Sequence, residues 1–284
     1  MSNLFILSGT GSTSASTLPL LVEGKKIGSF NWTSDGTLLT SDFARLLKTD
    51  SSGKNPTVLA SDPAAAILSL SPCGARFIVF PWAFHSGANT IDLWRVNADG
   101  SHPIQLADGN ARPACSGNNP FVYFFRDVKQ LWRVPLDGSG KAEPIPGSAI
   151  PNTFQAGRGM GLSPDGKTLA YMIKFLGPTT EDGTIKIAFL DLATLKNPRL
   201  IDVNPHISAG PLFTIDGKSV AYPVRENGVD NIWVEPIDGS TGHPITKFDS
   251  EQILSFHWSP DGKNLGILRG HTDSDVILLQ EAKQ

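Results

Sequence analysis

Methionine, tyrosine and cysteine are all scarce, with 3, 3 and 2 residues in a chain of 284. The two cysteines, Cys73 and Cys115, form no Cys-x-x-Cys pair or Cys/His cluster, which argues against a structural zinc site. They fall in equivalent turns of neighbouring repeats. Such turns are expected to lie well apart, so both are read as free thiols. Neither charge dominates: 24 Lys and Arg face 27 Asp and Glu, for a net −3. That balance excludes the basic surface expected of a nucleic-acid binder or an anionic-membrane binder. No apolar run approaches the roughly 20 residues of a membrane helix, so direct membrane insertion is not expected. The stretch Leu4–Leu7 is too short, and lacks the basic flank, to be a signal peptide. Met1 is read as the start of an excised domain, with targeting information lying elsewhere.

Chemical motifs are equally sparse. There is no Gly-x-Ser-x-Gly elbow and no EF-hand spacing. The six histidines, at 85, 102, 206, 243, 257 and 271, never show the i, i+4 spacing of a helical metal pair. Gly157-Arg158-Gly159-Met160-Gly161 is glycine-rich, but it precedes a strand rather than a helix. It therefore lacks the amide cradle of a phosphate site and reads as a flexible loop. No cofactor, no metal and no catalytic residue is expected.

What is abundant is glycine (28) and proline (21), the currency of short strands and tight turns. They are organised. Ser163-Pro-Asp-Gly-Lys167 and Ser259-Pro-Asp-Gly-Lys263 are two clear copies of one turn, and Thr214-Ile-Asp-Gly-Lys218 is a third. Thr33–Gly36, Ser71–Gly74 and Ser116–Asn119 are degraded copies. Their aspartate-equivalent positions are 35, 73, 118, 165, 216 and 261, so successive copies lie 38, 45, 47, 51 and 45 residues apart. That is the period of a propeller blade. An apolar strand follows each clear copy, as in Thr168–Ile173 and Ser219–Tyr222. Third strands recur downstream, at Ile91–Val96, Gln130–Val134, Ile185–Leu190, Asn231–Val234, Asp275–Leu279 and, in the first copy, Phe43–Leu47. Three of them place tryptophan at one site, Trp94, Trp132 and Trp233, which reads as packing between blades. Short outer strands come next, such as Arg199–Ile201 and Pro244–Thr246.

The expected fold is all-β: residues 1–284 form a single six-bladed β-propeller of four-stranded antiparallel blades. The sixth repeat lacks a fourth strand. Residues 18–24, with Leu18–Val22 as the clasp, are expected to supply it and remove the open edge. The placement of 1–17 stays open, because Asn3–Leu7 resembles a third strand and competes with Asp275–Leu279.

The order Ser-Pro-Asp-Gly-Lys, apolar strand, Ile/Leu-Trp, Asp-Gly-Ser resembles the repeats of TolB-type propellers. The run from Phe248 to Lys263, with Leu265, Arg269-Gly270 and Asp275-Val276, is similar to the end of the sensor propeller C-terminal to bacterial transmembrane serine/threonine kinases. The resemblance implies a sensor or protein-interaction module, extracytoplasmic (periplasmic) and part of a membrane-anchored parent. The chain itself holds no kinase motif.

Basic residues end the second strand in four blades: Arg126, Lys174, Arg225 and Arg269, respectively 10, 11, 11 and 10 residues after the first Ser or Thr of the turn. His85 lies near the matching place in blade two. The loops linking blades hold Arg112, Arg158, His206 and the segment 248–252, and in a meander they share that face. A partial cationic ring at the channel mouth would attract a protein, peptide or small anionic ligand. The plainer reading is rim charge partnered by Asp127, Glu226 and Asp273. Phe154, Phe175, Trp82 and Phe84 could add apolar contacts there, or simply pack. The alternatives to a binding module are a propeller lyase or hydrolase acting at the channel mouth, and the regulatory propeller of a serine peptidase.

Overall fold

The computed structural model describes residues 2–8, 15–18, 27–109, 113–126, 129–148, 154–176, 183–196 and 198–271, with the backbone alone at 2, 3, 5, 8, 15–18 and 154–158. Six separate antiparallel sheets follow one another around a ring, as the repeat period requires.

Blade one is Ser29–Trp32, Leu38–Ser41, Arg45–Thr49 and Thr57–Ser61. Blade four is the longest, with Phe154–Leu162, Thr168–Phe175, Ile185–Asp191 and Arg199–Asp202. In blade two the first strand is broken into Ala66–Ile67 and Ser71–Cys73. In blade three it is reduced to a bridge between Ala114 and Tyr123. Blade five keeps only Leu212–Phe213 and a bridge from Ile207 to Val224.

Blade six closes the ring. Its first two strands are Gln252–Trp258 and Asn264–Gly270. The N-terminal strand Ser2–Ser8 pairs with Asn264–Gly270 in the third position, Leu4 facing Leu268. Ala15–Leu18 pairs with that strand as the fourth. The place offered to Asp275–Leu279 is thus taken by the N-terminus, and 272–284 lie outside the described residues. Of the expected clasp 18–24, only Leu18 is described.

The core lies between blades. Six hydrophobic clusters each join neighbouring blades, one per boundary. At the closure, Leu4 and Ile6 pack with Leu268 from blade six and Phe30, Trp32 and Leu38 from blade one. Continuous apolar second strands follow from this, since each is covered on both faces. Trp94, Trp132 and Trp233 all pack onto clusters shared with the preceding blade.

The aspartates of the repeat are turn staples. In Ser163–Lys167, the Ser163 hydroxyl donates to Asp165 at 2.6 Å, the Lys167 amide donates to the same carboxylate oxygen at 3.1 Å, and Gly166 takes φ +73°. Thr214/Asp216/Lys218 and Ser259/Asp261/Lys263 repeat the pattern. These hydrogen bonds hold the carboxyls of Asp165, Asp216 and Asp261 below their ordinary pKa.

Three expectations change. Cys73 and Cys115 form a disulfide, with Cα atoms 5.5 Å apart. The equivalent turns of blades two and three are not far apart: a Cβ built on Gly74 would come within 2.9 Å of the Gly117 Cα. Two glycines let the backbones touch there. Gly157–Gly159 is not a loop but a register irregularity inside the first strand of blade four, between Ala156 and Met160. Phe43 is not a strand residue; it sits in the turn before Arg45–Thr49, with φ +71°.

Candidate functional site

The first strands of the six blades surround the axis, and two cavities lie along it. One, of about 400 Å³, is lined by residues including Ser29, Leu68, Ser69, Gly159, Ala209, Pro211, Leu254 and Ser255. The other, of about 330 Å³, is lined by Asn31, Trp32, Cys115, Leu162, Phe213 and Trp258, among others. Ser71, Pro113, Met160, Leu212 and His257 border both. Neither lining contains an Asp, Glu, Lys or Arg among the described residues. The described lining is therefore uncharged, with hydroxyl, amide and imidazole groups on an apolar wall.

His257 follows the same logic. Its ring meets Phe30 edge-on, and its carbonyl accepts from the Trp32 indole at 3.3 Å. Burial pushes its pKa down to about 4, so the imidazole is neutral at pH 7. Among the described residues no three His, Cys, Asp or Glu converge in a metal-binding group.

The basic residues do lie where second-strand hairpins meet the connections between blades. The Arg126 guanidinium stacks on Trp132 at 4.0 Å and donates to the Asp108 carbonyl at 3.1 Å. The Arg225 amide donates to the His206 carbonyl at 2.9 Å. Its guanidinium grips Asp230, not the neighbouring Glu226, through two 2.8 Å bonds. Arg269 is buried, covers the Phe248 ring at 3.8 Å and donates to the Ser250 carbonyl. Glu251 lies 3.8 Å away, and burial lowers the pKa of the Arg269 guanidinium. His85 bonds Asp62 at 2.7 Å and stacks on Trp82 at 3.5 Å. These side chains thus clamp hairpins to connections. Lys174 is exposed in its strand and makes no ion pair among the described residues. Arg112, Asp127 and Asp273 lie outside the described residues. Arg158 is placed in the irregularity of blade four by its backbone alone. Phe175 is buried, with Lys186 5.7 Å from its ring centroid.

The same face carries apolar groups that charge counting does not find. Leu68, Leu254, Phe43 and Phe84 are all exposed. Leu68 and Leu254 line the larger cavity, and the Phe43 ring lies against the position of Gly28, another lining residue. Phe43 and Phe84 both follow a second strand and both take positive φ, +71° and +61°. Non-glycine residues seldom adopt that conformation, and where they do it often marks a functional turn. A further groove of about 640 Å³ opens between blades four and five on the opposite face. Of its carboxylates, Asp165 and Asp216 are the turn staples already described, and Asp191 accepts the Ala193 and Thr194 amides.

No family model matches the chain, and no curated protein sequence matches it. Solved structures do. A TolB candidate from Agrobacterium tumefaciens superposes with TM-score 0.71 at 17% identity, over 94% of this chain and 97% of that one. An oligogalacturonate lyase in complex with manganese gives TM-score 0.62 at 17% identity, over 90% of this chain and 79% of the other. A chain of the nidogen/laminin complex gives 0.61 at 14%, over 87% and 94%. What these likenesses establish is the fold: a six-bladed propeller of the kind found in TolB-type proteins.

Proposed function

We propose that the chain is a non-catalytic sensing and protein-interaction propeller that binds its partner at the channel mouth. The observation that carries this reading is the set of exposed apolar residues there, Phe43, Leu68, Phe84 and Leu254, on the neighbouring blades six, one and two of a rigid scaffold. Loops held by such a scaffold are where binding usually sits, and contiguous apolar exposure marks interaction surfaces. Lys174, Arg126, Arg225 and Arg269, with Arg112, Arg158, His85 and His206, are proposed as a rim that steers a protein, peptide or anionic group toward it. The described lining, which holds no charged side chain, favours a neutral segment beyond the mouth.

The finer reading is the extracytoplasmic sensor of a membrane-bound serine/threonine kinase. The cross-blade disulfide supports an oxidising compartment. A lyase reading draws on the manganese-bound neighbour, but among the described residues the channel linings hold one histidine and no carboxylate, which does not fit a metal centre. No helix among the described residues is long and apolar enough to cross a membrane.

Two experiments test the reading. Binding to periplasmic proteins and cell-wall fragments should be lost on Phe43→Ser with Leu254→Ser, with melting unchanged; binding that survives rules out this face. The upstream coding sequence should contain a kinase domain and a membrane span. A peptidase domain in the same gene would replace the kinase reading.

A further inference from the structure

The clamp around His85 contains a feature that binding does not require. Asp62, on the connection from blade one, accepts three hydrogen bonds: from the Ala64 amide at 3.0 Å, the Ser86 amide at 3.1 Å and the His85 Nδ1 at 2.7 Å. A carboxylate held by so many donors stays ionised, and its pKa is lowered. An ionised carboxylate can only accept. The proton between the two groups therefore belongs to Nδ1, and the neutral form of the His85 ring is the tautomer with its lone pair at Nε2.

That lone pair has a hydroxyl in front of it. Ser86 Oγ lies 3.3 Å from His85 Nε2. Because Nε2 is the acceptor, the serine O–H is the donor. Ser86 itself is exposed and takes φ +54°, ψ +28°, between Phe84 at φ +61° and Gly87 at φ +79°. Three of the four turn residues 84–87, all but His85, are in left-handed backbone and hold the hydroxyl out on the binding face. The imidazole is fixed from below as well, stacked on Trp82 at 3.5 Å and meeting the edge of Trp94 at 4.9 Å. An aromatic face under the ring stabilises the imidazolium that proton transfer would create.

We propose that Asp62, His85 and Ser86 form a nucleophilic relay, and that Ser86 is an acylation site for activated esters. Ser86 Oγ attacks the acyl carbon as its proton passes to His85 Nε2. The Oγ–C bond forms, the bond from carbon to the leaving oxygen breaks, and the leaving group departs as its anion. His85 then releases the proton to water. Asp62 is a positioning residue: it selects the tautomer and offsets the imidazolium charge. The exposed Phe84 ring, adjoining the pair in the chain, offers an apolar rest for the acyl group.

The turn also limits the chemistry. The Ser86 amide serves Asp62, the Gly87 amide donates to the Phe84 carbonyl at 3.3 Å, and the Ala88 amide to the His85 carbonyl at 3.1 Å. None of these three consecutive amides is left to stabilise an oxyanion, a contribution usually of about 10²–10³-fold. An activated aryl ester tolerates that loss. The serine ester it leaves behind is a poorer electrophile and should persist. The site is suited to covalent capture more than to turnover, and it is independent of whether the channel mouth binds a partner.

The test uses the intact chain with p-nitrophenyl acetate and with an alkyl fluorophosphonate, each followed by peptide mass spectrometry. A single adduct on Ser86, with one equivalent of nitrophenolate released, is expected. Ser86→Ala should abolish it. His85→Gln and Asp62→Asn should slow it by about 10²-fold or more, in line with general-base catalysis, in variants that still unfold cooperatively, even if the lost clamp lowers their melting temperature. Nitrogen NMR of the parent gives a readout that does not depend on any variant folding: the His85 proton should sit on Nδ1, and in Asp62→Asn it should move toward Nε2. An unmodified Ser86, a rate unchanged in His85→Gln, or a parent His85 protonated on Nε2 would each overturn the relay.

Discussion

Arg225 and Asp230 face each other across a hairpin, and the guanidinium binds both carboxylate oxygens at 2.8 Å. The carboxylate is fully buried, while the arginine side chain keeps 42% of its exposure. Asp230 also accepts the Ile253 amide of blade six at 2.9 Å. One ion pair thus joins a hairpin of blade five to the first strand of the next blade.

Arg225 is therefore expected to matter for stability and Lys174 is not, although both occupy the matched basic position. Arg225→Met leaves a buried carboxylate with too few donors and should cost about 3 kcal/mol. Lys174→Met removes an exposed charge and should stay within about 0.5 kcal/mol. Urea unfolding of the two variants checks the difference. Equal effects would mean that the pair contributes nothing.

The disulfide makes a second prediction. The bond between Cys73 and Cys115 closes a sequence separation of 42 residues. A loop of that size restricts the unfolded chain enough to stabilise the fold by about 2–4 kcal/mol. Dithiothreitol should lower the melting temperature of the parent, and Cys73→Ser with Cys115→Ser should melt at that lower value whether or not reductant is present. A parent indifferent to reductant would show that the bond is not formed in solution.

This bond also shows where sequence reading stops. Repeat spacing and Asp-Gly turns are local signals, and they carry the six blades and most second and third strands. How close two turns come across a blade boundary depends on the ring as a whole, and only the contact of Gly74 with Gly117 reveals it. The same holds for Ser2–Ser8: its pattern suits a third strand, but its partner is more than 250 residues away, and pattern alone could not choose between it and Asp275–Leu279. The basic positions were legible by counting, whereas their partners were legible only in part. The Asn227-Gly228 turn places Arg225 opposite Asp230, a signal available in the sequence. The link from His85 to Asp62 joins a hairpin to a connection 23 residues earlier and has no such signal. The exposed turns at Phe43 and Phe84 depend on positive φ, which composition does not announce for phenylalanine.

Closure by the N-terminus should be visible in stability. Leu4 is 1% exposed and sits in the cluster that joins blade six to blade one. Leu4→Ala should cost about 2–5 kcal/mol, as for other fully buried leucines. Deleting residues 1–18 should do more, because it strips two strands from blade six and bares Asn264–Gly270 as an open edge. A truncated chain that melts like the parent would show that the ring does not depend on this closure.

The neutral channel histidine gives a prediction in pH. His257 has its folded pKa lowered to about 4 by burial. In the unfolded chain a histidine titrates near 6.5. A group with a depressed folded pKa leaves the unfolded state holding more protons in the interval between the two values. For this histidine, stability is therefore unaffected above about pH 6.5 and falls as pH drops from there to about 4, by on the order of 2 kcal/mol. His257→Gln keeps a polar side chain without titrating, so it should flatten that part of the profile. The turn aspartates add a separate loss at lower pH, as their depressed carboxyls are protonated. Melting curves of parent and variant, taken at half-unit steps from pH 7 to pH 3, separate the two. Parallel profiles between pH 6.5 and 4 would mean that His257 already takes up its proton in the folded ring, and that the channel is wetter than its uncharged lining implies.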